Sequence, residues 1–431
     1  MNFLDIYRSK ITTPEDAVSR IESNSRVYLG GGTGVPQVLV NALVKRAPEL
    51  RNVELAHILH FGDAEYVKPE YAKSFRHNAM FIGNNARKAV QSGAADFTPV
   101  FLSEVPYLFR AGVVPLDVAL IQLSPPDEHG FCSFGVEIGC TKSAAESAKL
   151  VIAEINRRAP RTLGDSFIHV RNLDVIVEAD YPLPEAAQGG ASPVHQRIGE
   201  IIAELIPNGA TLQMGIGSIP DAVLANMGNH RDIGIHSELF SDGVVALIEA
   251  GIINGVKKTL HPGKVIAGFI LGSQKLYEFV DNNPIFEMHP TDYVNDPFII
   301  AQNDNMISIN SAIEVDLTGQ VAADSIGAHF YSGVGGQLDF VRGASRSNGG
   351  KPFIALPSTA KGGAISRITP MLKQGAGVTT TRNDGPIIVT EHGVAETYGK
   401  TIRQRAQALI NIAAPEFREE LTRQAKELHY L

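Results

Sequence analysis

The chain is 431 residues long, with 44% hydrophobic and 19% charged residues, an ordinary globular balance that excludes wholesale disorder and leaves material for two or three domains. Thirty-eight Lys and Arg against 46 Asp and Glu give a net charge of −8, which argues against a general nucleic-acid binder, a function that needs a basic surface. Two cysteines, Cys132 and Cys140, exclude a disulfide scaffold and fit a reducing compartment.

The opening residues, MNFLDIYRSKITTPEDA, carry no apolar core of signal-peptide length, so the cytoplasm is the expected location. No run of about 18 uncharged apolar residues follows anywhere, and no membrane association is expected. Val27–Leu29 predicts a short buried strand running into Gly30-Gly31-Gly32-Thr33-Gly34-Val35-Pro36. Apolar Val38, Leu39, Val40, Leu43 and Val44 then predict a helix from Gln37 to Val44. Val53–Ile58, Val118–Leu123, Val151–Ile155 and Val175–Val177 predict further strands, short and apolar as in a parallel sheet covered on both faces.

Asp127-Glu128-His129, near Cys132, matches no standard zinc spacing and predicts a turn after a strand; no metal site is expected. Tyr181–Pro184 through Gly189–Pro193 is rich in Pro, Gly and small residues and predicts the boundary between an N-terminal domain, 1–185, and a C-terminal domain, 186–431. A helix over Val194–Leu205 opens the second. Ala414–Leu428 predicts a solvated helix near the end.

The chain also echoes itself. Arg26 to Leu39 reads strand, glycine loop, Pro, helix, and so does Ala210 to Leu224, through Gly215-Ile216-Gly217-Ser218-Ile219-Pro220. A second pair, Leu116–Leu123 before His129-Gly130 and Ser308–Val315 before Thr318-Gly319, keeps the same order. Two α/β halves of related topology explain this. A ligand then belongs at the carboxyl ends of strands.

Familiar active-site motifs are absent. There is no G-x-S-x-G and no H-E-x-x-H, neither glycine loop completes G-x-G-x-x-G, and Gly393 to Gly399 is one residue too long for a P-loop. The informative region is Gly234 to Lys361. His236-Ser237-Glu238-Leu239-Phe240-Ser241-Asp242-Gly243 brings Glu238 to a strand end before a helix over Val244–Glu249; on residue type alone a capping or salt-bridging glutamate is the favoured reading. Ser332-Gly333-Val334-Gly335-Gly336 can turn successive N–H groups toward one point, as an anion nest or as a plain turn. Pro357-Ser358-Thr359-Ala360-Lys361-Gly362-Gly363 sets a lysine beside glycines, suited to a phosphate.

These segments, together with LQMGIGSIPDAVL, INSAIEVDLTGQV, GVGGQLDF, STAKGGAISRI and VTEHGVAE, resemble the acetyl-CoA hydrolase/transferase family of CoA-transferases over nearly the whole chain. Length and the HSELFSDG wording most resemble its 4-hydroxybutyrate members. The resemblance implies two open α/β domains of related topology with the active site in the cleft between them. It implies a catalytic Glu238 that becomes a glutamyl-CoA thioester, Gly336 as an amide donor and Asn295 orienting the glutamate. It implies CoA contacts at Gln213, Met214, Gly215, Ile216, Gly217, Ala312, Ser332, Gly333, Gly335, Gly336 and Lys361, although relatives carry asparagine in place of Ser332. The implied substrates are an acyl-CoA and a short-chain carboxylate such as 4-hydroxybutyrate, acetate or butyrate, with CoA as substrate and covalent intermediate, no permanently bound cofactor, and a homo-oligomeric state. An acyl-CoA hydrolase, or a non-catalytic CoA-binding subunit of a larger complex, are the alternatives.

Overall fold

The computed structural model describes residues 3–186 and 190–431. The chain divides into two compact units. One takes the chain up to residue 187 together with Ile266–Val294, and the other takes residues 188–265 and Asn295–Leu431. The middle of the expected linker, 187–189, lies outside the described residues.

The first unit is built on a seven-stranded parallel sheet. From edge to edge its strands are Asp96–Phe97, Phe75–Ala79, Val53–His57, Arg26–Leu29, Val118–Leu123, Leu150–Asn156 and Val175–Ala179. Successive side chains of a strand point to opposite faces, and both faces here are covered. Val27, Leu29, Leu55, Val118 and Leu120 pack against Leu39, Val40 and Leu43 of the helix Gln37–Lys45. Tyr28 and Ala56 turn the other way, toward Leu102, Val105 and Phe109. That double burial is why the strands read as unbroken apolar runs. Phe75–Ala79 escapes this pattern because Arg76, His77 and Asn78 interrupt it; His77 is buried and uses Nδ1 on the Leu55 carbonyl at 2.9 Å.

The helix Gln37–Lys45 begins over a carboxylate. Buried Glu154 accepts from the amides of Leu39, at 3.0 Å, and Val38, an anion placed where a helix N-terminus favours one. Tyr181 donates its hydroxyl to Glu154 and accepts from the Gln37 amide at 3.1 Å. The start of the expected linker is therefore tied into the first unit.

In the second unit the strands run Gly234–Phe240, Thr211–Met214, Met306–Ser311, Lys351–Ala355 and Ile387–Thr390 in parallel, with Gly393–Glu396 returning antiparallel. Arg26–Leu29 lies between Val53–His57 and Val118–Leu123, and Thr211–Met214 lies between Gly234–Phe240 and Met306–Ser311. The members of both sequence echoes hold matching places, so the two α/β domains have related topology. Ile354, Ile388, Leu409 and Ile410 form part of the second core, under the helices Ile402–Ile412 and Pro415–Glu427. The latter is mostly solvated, with Leu421 and Ala425 buried. No helix among the described residues is long and apolar enough to cross a membrane.

The helix Pro193–Leu205 starts on a Ser192 cap and runs against the helix Ser218–Ala225. Gly199 makes the approach possible: a Cβ there would lie 2.6 Å from Ala222 Cβ. Gly199→Ala is expected to lower unfolding stability by about 1–3 kcal/mol through overpacking. Urea denaturation followed by circular dichroism measures this, and an unchanged midpoint would mean the helices separate freely.

Candidate active site

Strand Gly234–Phe240 pairs with Thr211–Met214 through Thr211↔Gly234 and Leu212↔Ile235. Farther along, a side chain takes over from the backbone ladder. The Ser237 hydroxyl accepts from the Met214 amide at 3.3 Å and donates to the Met214 carbonyl at 3.1 Å. The next residue is Glu238. Its carboxylate Oε2 accepts from Asn295 Nδ2 at 3.0 Å, and the Gly336 amide also donates to it.

Each donor is fixed by its own surroundings. Asn295 is fully buried, just ahead of the short helix Pro297–Ile300, which Asp296 caps by accepting from the Phe298 amide at 2.8 Å. Among the described residues its Oδ1 has no hydrogen-bond partner, an omission that costs about 1–3 kcal/mol in an ordinary core. Gly336 caps the helix Gln337–Arg346, after Gly335 turns the chain at φ +58°. A Cβ on Gly336 would overlap both Glu238 Oε2 and Asn295 Nδ2. Only glycine lets the backbone come this close.

Burial pushes the Glu238 carboxyl up to about 7, against the pull of the Asn295 and Gly336 donors, which favour the ionised form. Near neutrality the group is a carboxylate part of the time, poorly solvated and held by two donors. That is the state in which a carboxylate is most useful as a nucleophile.

The neighbouring expected residues are tied to this cluster through side chains that the motifs did not single out. Gln213 exchanges hydrogen bonds with Asn310, at 3.1 and 3.3 Å, across adjacent strands. Gln337, the residue after Gly336, donates to the Ser311 carbonyl at 2.6 Å. Ser237, Asn310 and Gln337 thus brace Met214, Gln213 and Gly336. Sequence offers no sign of them individually, because each sits among other polar residues of its own element.

Gly215, Ile216 and Gly217 form the loop from strand to helix, with Ile216 and Gly217 exposed and Gly217 at φ +123°. Ala312 and Lys361 come together on the wall of a cavity of about 420 Å3. Buried Gly333 lies in the turn before Gly335. Ser332 donates its hydroxyl to the Gly333 carbonyl at 3.0 Å; its side chain serves the turn. Elsewhere, Asp127 closes a turn by accepting from the amides of His129 and Phe131 and faces Arg161 at 3.1 Å, in keeping with its sequence reading.

The chain matches the acetyl-CoA hydrolase/transferase N-terminal domain over residues 1–184 and the C-terminal domain of the same family over 272–425. It belongs to the acetyl-CoA hydrolase/transferase family. Among its family relatives is the 4-hydroxybutyrate coenzyme A transferase of Clostridium kluyveri, 56% identical over 427 residues, which cover 99% of this chain and 100% of that one. A crystal structure of 4-hydroxybutyrate CoA-transferase from Porphyromonas gingivalis superposes with a TM-score of 0.87 at 42% identity, covering 99% of this chain and 100% of that one. RipA from Yersinia pestis superposes with a TM-score of 0.94 at 37% identity over the whole of both chains. With such full coverage by family members named as CoA-transferases, this chain is an enzyme of the CoA-transferase kind.

Two outcomes are expected of this geometry. Gly336→Ala displaces the carboxylate and should reduce turnover about 100-fold with little change in melting temperature; steady-state kinetics beside a thermal melt checks this. If the ionised Glu238 is the reacting form, kcat/KM rises with pH through about 7. Asn295→Ala removes a donor that favours ionisation, so its rising limb should move to higher pH, and a limb that stays in place would separate it from Glu238.

Proposed function

We propose that the enzyme moves CoA between an acyl-CoA and a short-chain carboxylate, such as 4-hydroxybutyrate, acetate or butyrate, by a ping-pong cycle through a glutamyl-CoA thioester on Glu238. One observation carries this reading: the half-buried Glu238 carboxylate is held between the Asn295 amide and the Gly336 N–H. The names of the relatives supply the substrate class.

The steps balance without a further reactant. A Glu238 oxygen attacks the acyl-CoA carbonyl, the C–S bond breaks, and a mixed anhydride and CoA thiolate result. The thiolate attacks the glutamyl carbonyl carbon and expels the first acid as its carboxylate, leaving CoA on Glu238. The incoming carboxylate attacks this thioester, and the two steps run in reverse to give the new acyl-CoA and a free Glu238. CoA enters as a substrate and is carried covalently, so the cycle itself calls for no resident cofactor.

The resting hydrogen bonds have a direct use in this scheme. When thiolate attacks the glutamyl carbonyl, negative charge builds on a glutamyl oxygen. Asn295 Nδ2 and the Gly336 amide already aim at that carboxyl group, so they can stabilise the charge with little reorganisation. Loss of one such donor typically costs about 3 kcal/mol in the barrier. The preferred acid depends on small differences, since one methylene in a pocket is worth only about 1–3 kcal/mol.

Intact-protein mass after incubation with acetyl-CoA, without an acceptor acid, tests the cycle. A CoA-sized increment is expected on the native chain and absent from Glu238→Ala, and added 4-hydroxybutyrate or butyrate should discharge it as the new acyl-CoA. Steady CoA release with no increment would replace the transferase cycle with hydrolysis, and normal transfer by Glu238→Ala would remove Glu238 from the chemistry.

A further inference from the structure

The cavity shared by Ala312 and Lys361 lies within the second unit, at a small hairpin. Thr359–Ala360 pairs antiparallel with Ile365–Ser366, and the tip between them holds Lys361 at φ +51°, Gly362 at +67° and Gly363 at +94°. A lysine seldom adopts the left-handed region, and here the glycines that follow keep the tip in that conformation. Directly after the hairpin comes Arg367, which the sequence motifs left without a role. Its main chain is anchored on both sides: its amide donates to Ser358 O and its carbonyl accepts from Val315 N, each at 2.8 Å.

The side chain is a different case. Arg367 is half-buried and lines the same cavity, yet its guanidinium has neither a hydrogen bond nor an ion pair among the described residues. The carboxylates of the region are committed elsewhere. Glu314 accepts from the Lys373 amide at 2.7 Å and faces Lys373 Nζ at 3.3 Å. Glu391 has one oxygen on the Ser358 hydroxyl, at 2.6 Å, and the other on the Ser358 amide, at 2.9 Å. Loss of water lowers the Arg367 pKa from its ordinary value, and the nearby charge of Glu391 offsets this only in part.

Five donors on a partly desolvated guanidinium are unfavourable unless something supplies acceptors. The cavity wall carries three cations, Lys361, Arg367 and Lys373, against the single carboxylate Glu314, and Ile326 and Tyr331 add apolar wall. An anion with several oxygens in fork geometry suits that balance, and arginine matches phosphate better than lysine does. We propose that Arg367 binds a phosphate group of coenzyme A, in the cavity that Lys361 closes from the hairpin tip. This rests on the CoA-transferase reading and adds to it the residue that recognises the nucleotide end of the substrate.

Equilibrium binding of free CoA and of 3′-dephospho-CoA, by titration calorimetry, tests the assignment on the full chain. Arg367→Met is expected to bind CoA roughly 10- to 100-fold more weakly, the effect of losing a charged hydrogen-bonding partner. Arg367→Lys keeps the charge without the planar fork and should fall between. If the loss vanishes with 3′-dephospho-CoA, the partner is the 3′-phosphate; if it persists, the partner is the pyrophosphate. The melting temperature of Arg367→Met should match or exceed that of the native chain, because no internal partner is lost. Native-like CoA affinity in both variants would overturn the proposal while leaving the transferase reading intact. A native chain that binds no CoA would instead overturn the reading beneath it.

Discussion

The candidate site of the second unit is organised around one constraint, a half-buried carboxylate that is held by donors and still able to ionise. Burial alone would leave Glu238 neutral and inert as a nucleophile. Strong ion pairing would keep it charged but too well stabilised to attack. The structure takes a middle course, with two neutral donors and no cation in direct contact with the carboxylate. Neutral donors hold the ionised form in place without locking it. The same pair faces the glutamyl oxygen on which charge would build during acyl exchange, so a single arrangement suits both the resting and the reacting state.

That constraint explains features otherwise hard to place. Gly336 must lack a side chain because its amide approaches the carboxylate where a Cβ would stand. The strand pair around Glu238 gives up its backbone ladder early, and Ser237 restores the lost bonds from a side chain, which lets the strand end diverge toward the site without leaving Met214 unsatisfied. Gln213 with Asn310, and Gln337 with Ser311, hold the neighbouring elements by the same device. A positioned side chain is only as precise as the shell that holds it, and here the shell is made of amide and hydroxyl contacts.

Much of this could be read from the residues. The strands of the first sheet announced themselves as apolar runs because both of their faces are buried, and the two echoes located corresponding strands before any topology was known. Glu238 and the glycine turn at Gly335-Gly336 could be singled out from the residues, but joining them with Asn295 was reachable only through the resemblance, since 57 residues of chain separate Glu238 from Asn295 and no local spacing connects them. The strand Phe75–Ala79 was hidden by its polar centre. Ser237, Asn310 and Gln337 act through hydrogen bonds between elements, which a pattern along the chain does not encode.

The two glycine loops show where likeness of sequence stops being likeness of function. In the first unit, buried Glu137 accepts from the Gly31 amide, the Cys140 amide and the Thr141 hydroxyl. The loop thereby carries its own internal anion, and side chains at Gly31 or Gly34 would crowd Leu59 O or Glu137. In the second unit, a Cβ at Gly215 or Gly217 would meet nothing within 4 Å, and Ile216 and Gly217 are exposed. A loop that satisfies its own amides with an internal carboxylate has little left to offer a phosphate or thioester. A loop exposed in this way keeps its donors available. Glu137 braces a loop, whereas Glu238 stands near a strand end between a side-chain amide and a glycine amide. Burial pushes both up to about 7, so a perturbed pKa by itself does not separate the structural carboxylate from the reactive one. What separates them is what their donors do. Those of Glu137 tie the Gly31 loop to the start of the helix Thr141–Ser147, and those of Glu238 are a side-chain amide and a glycine amide that approaches where a Cβ would stand.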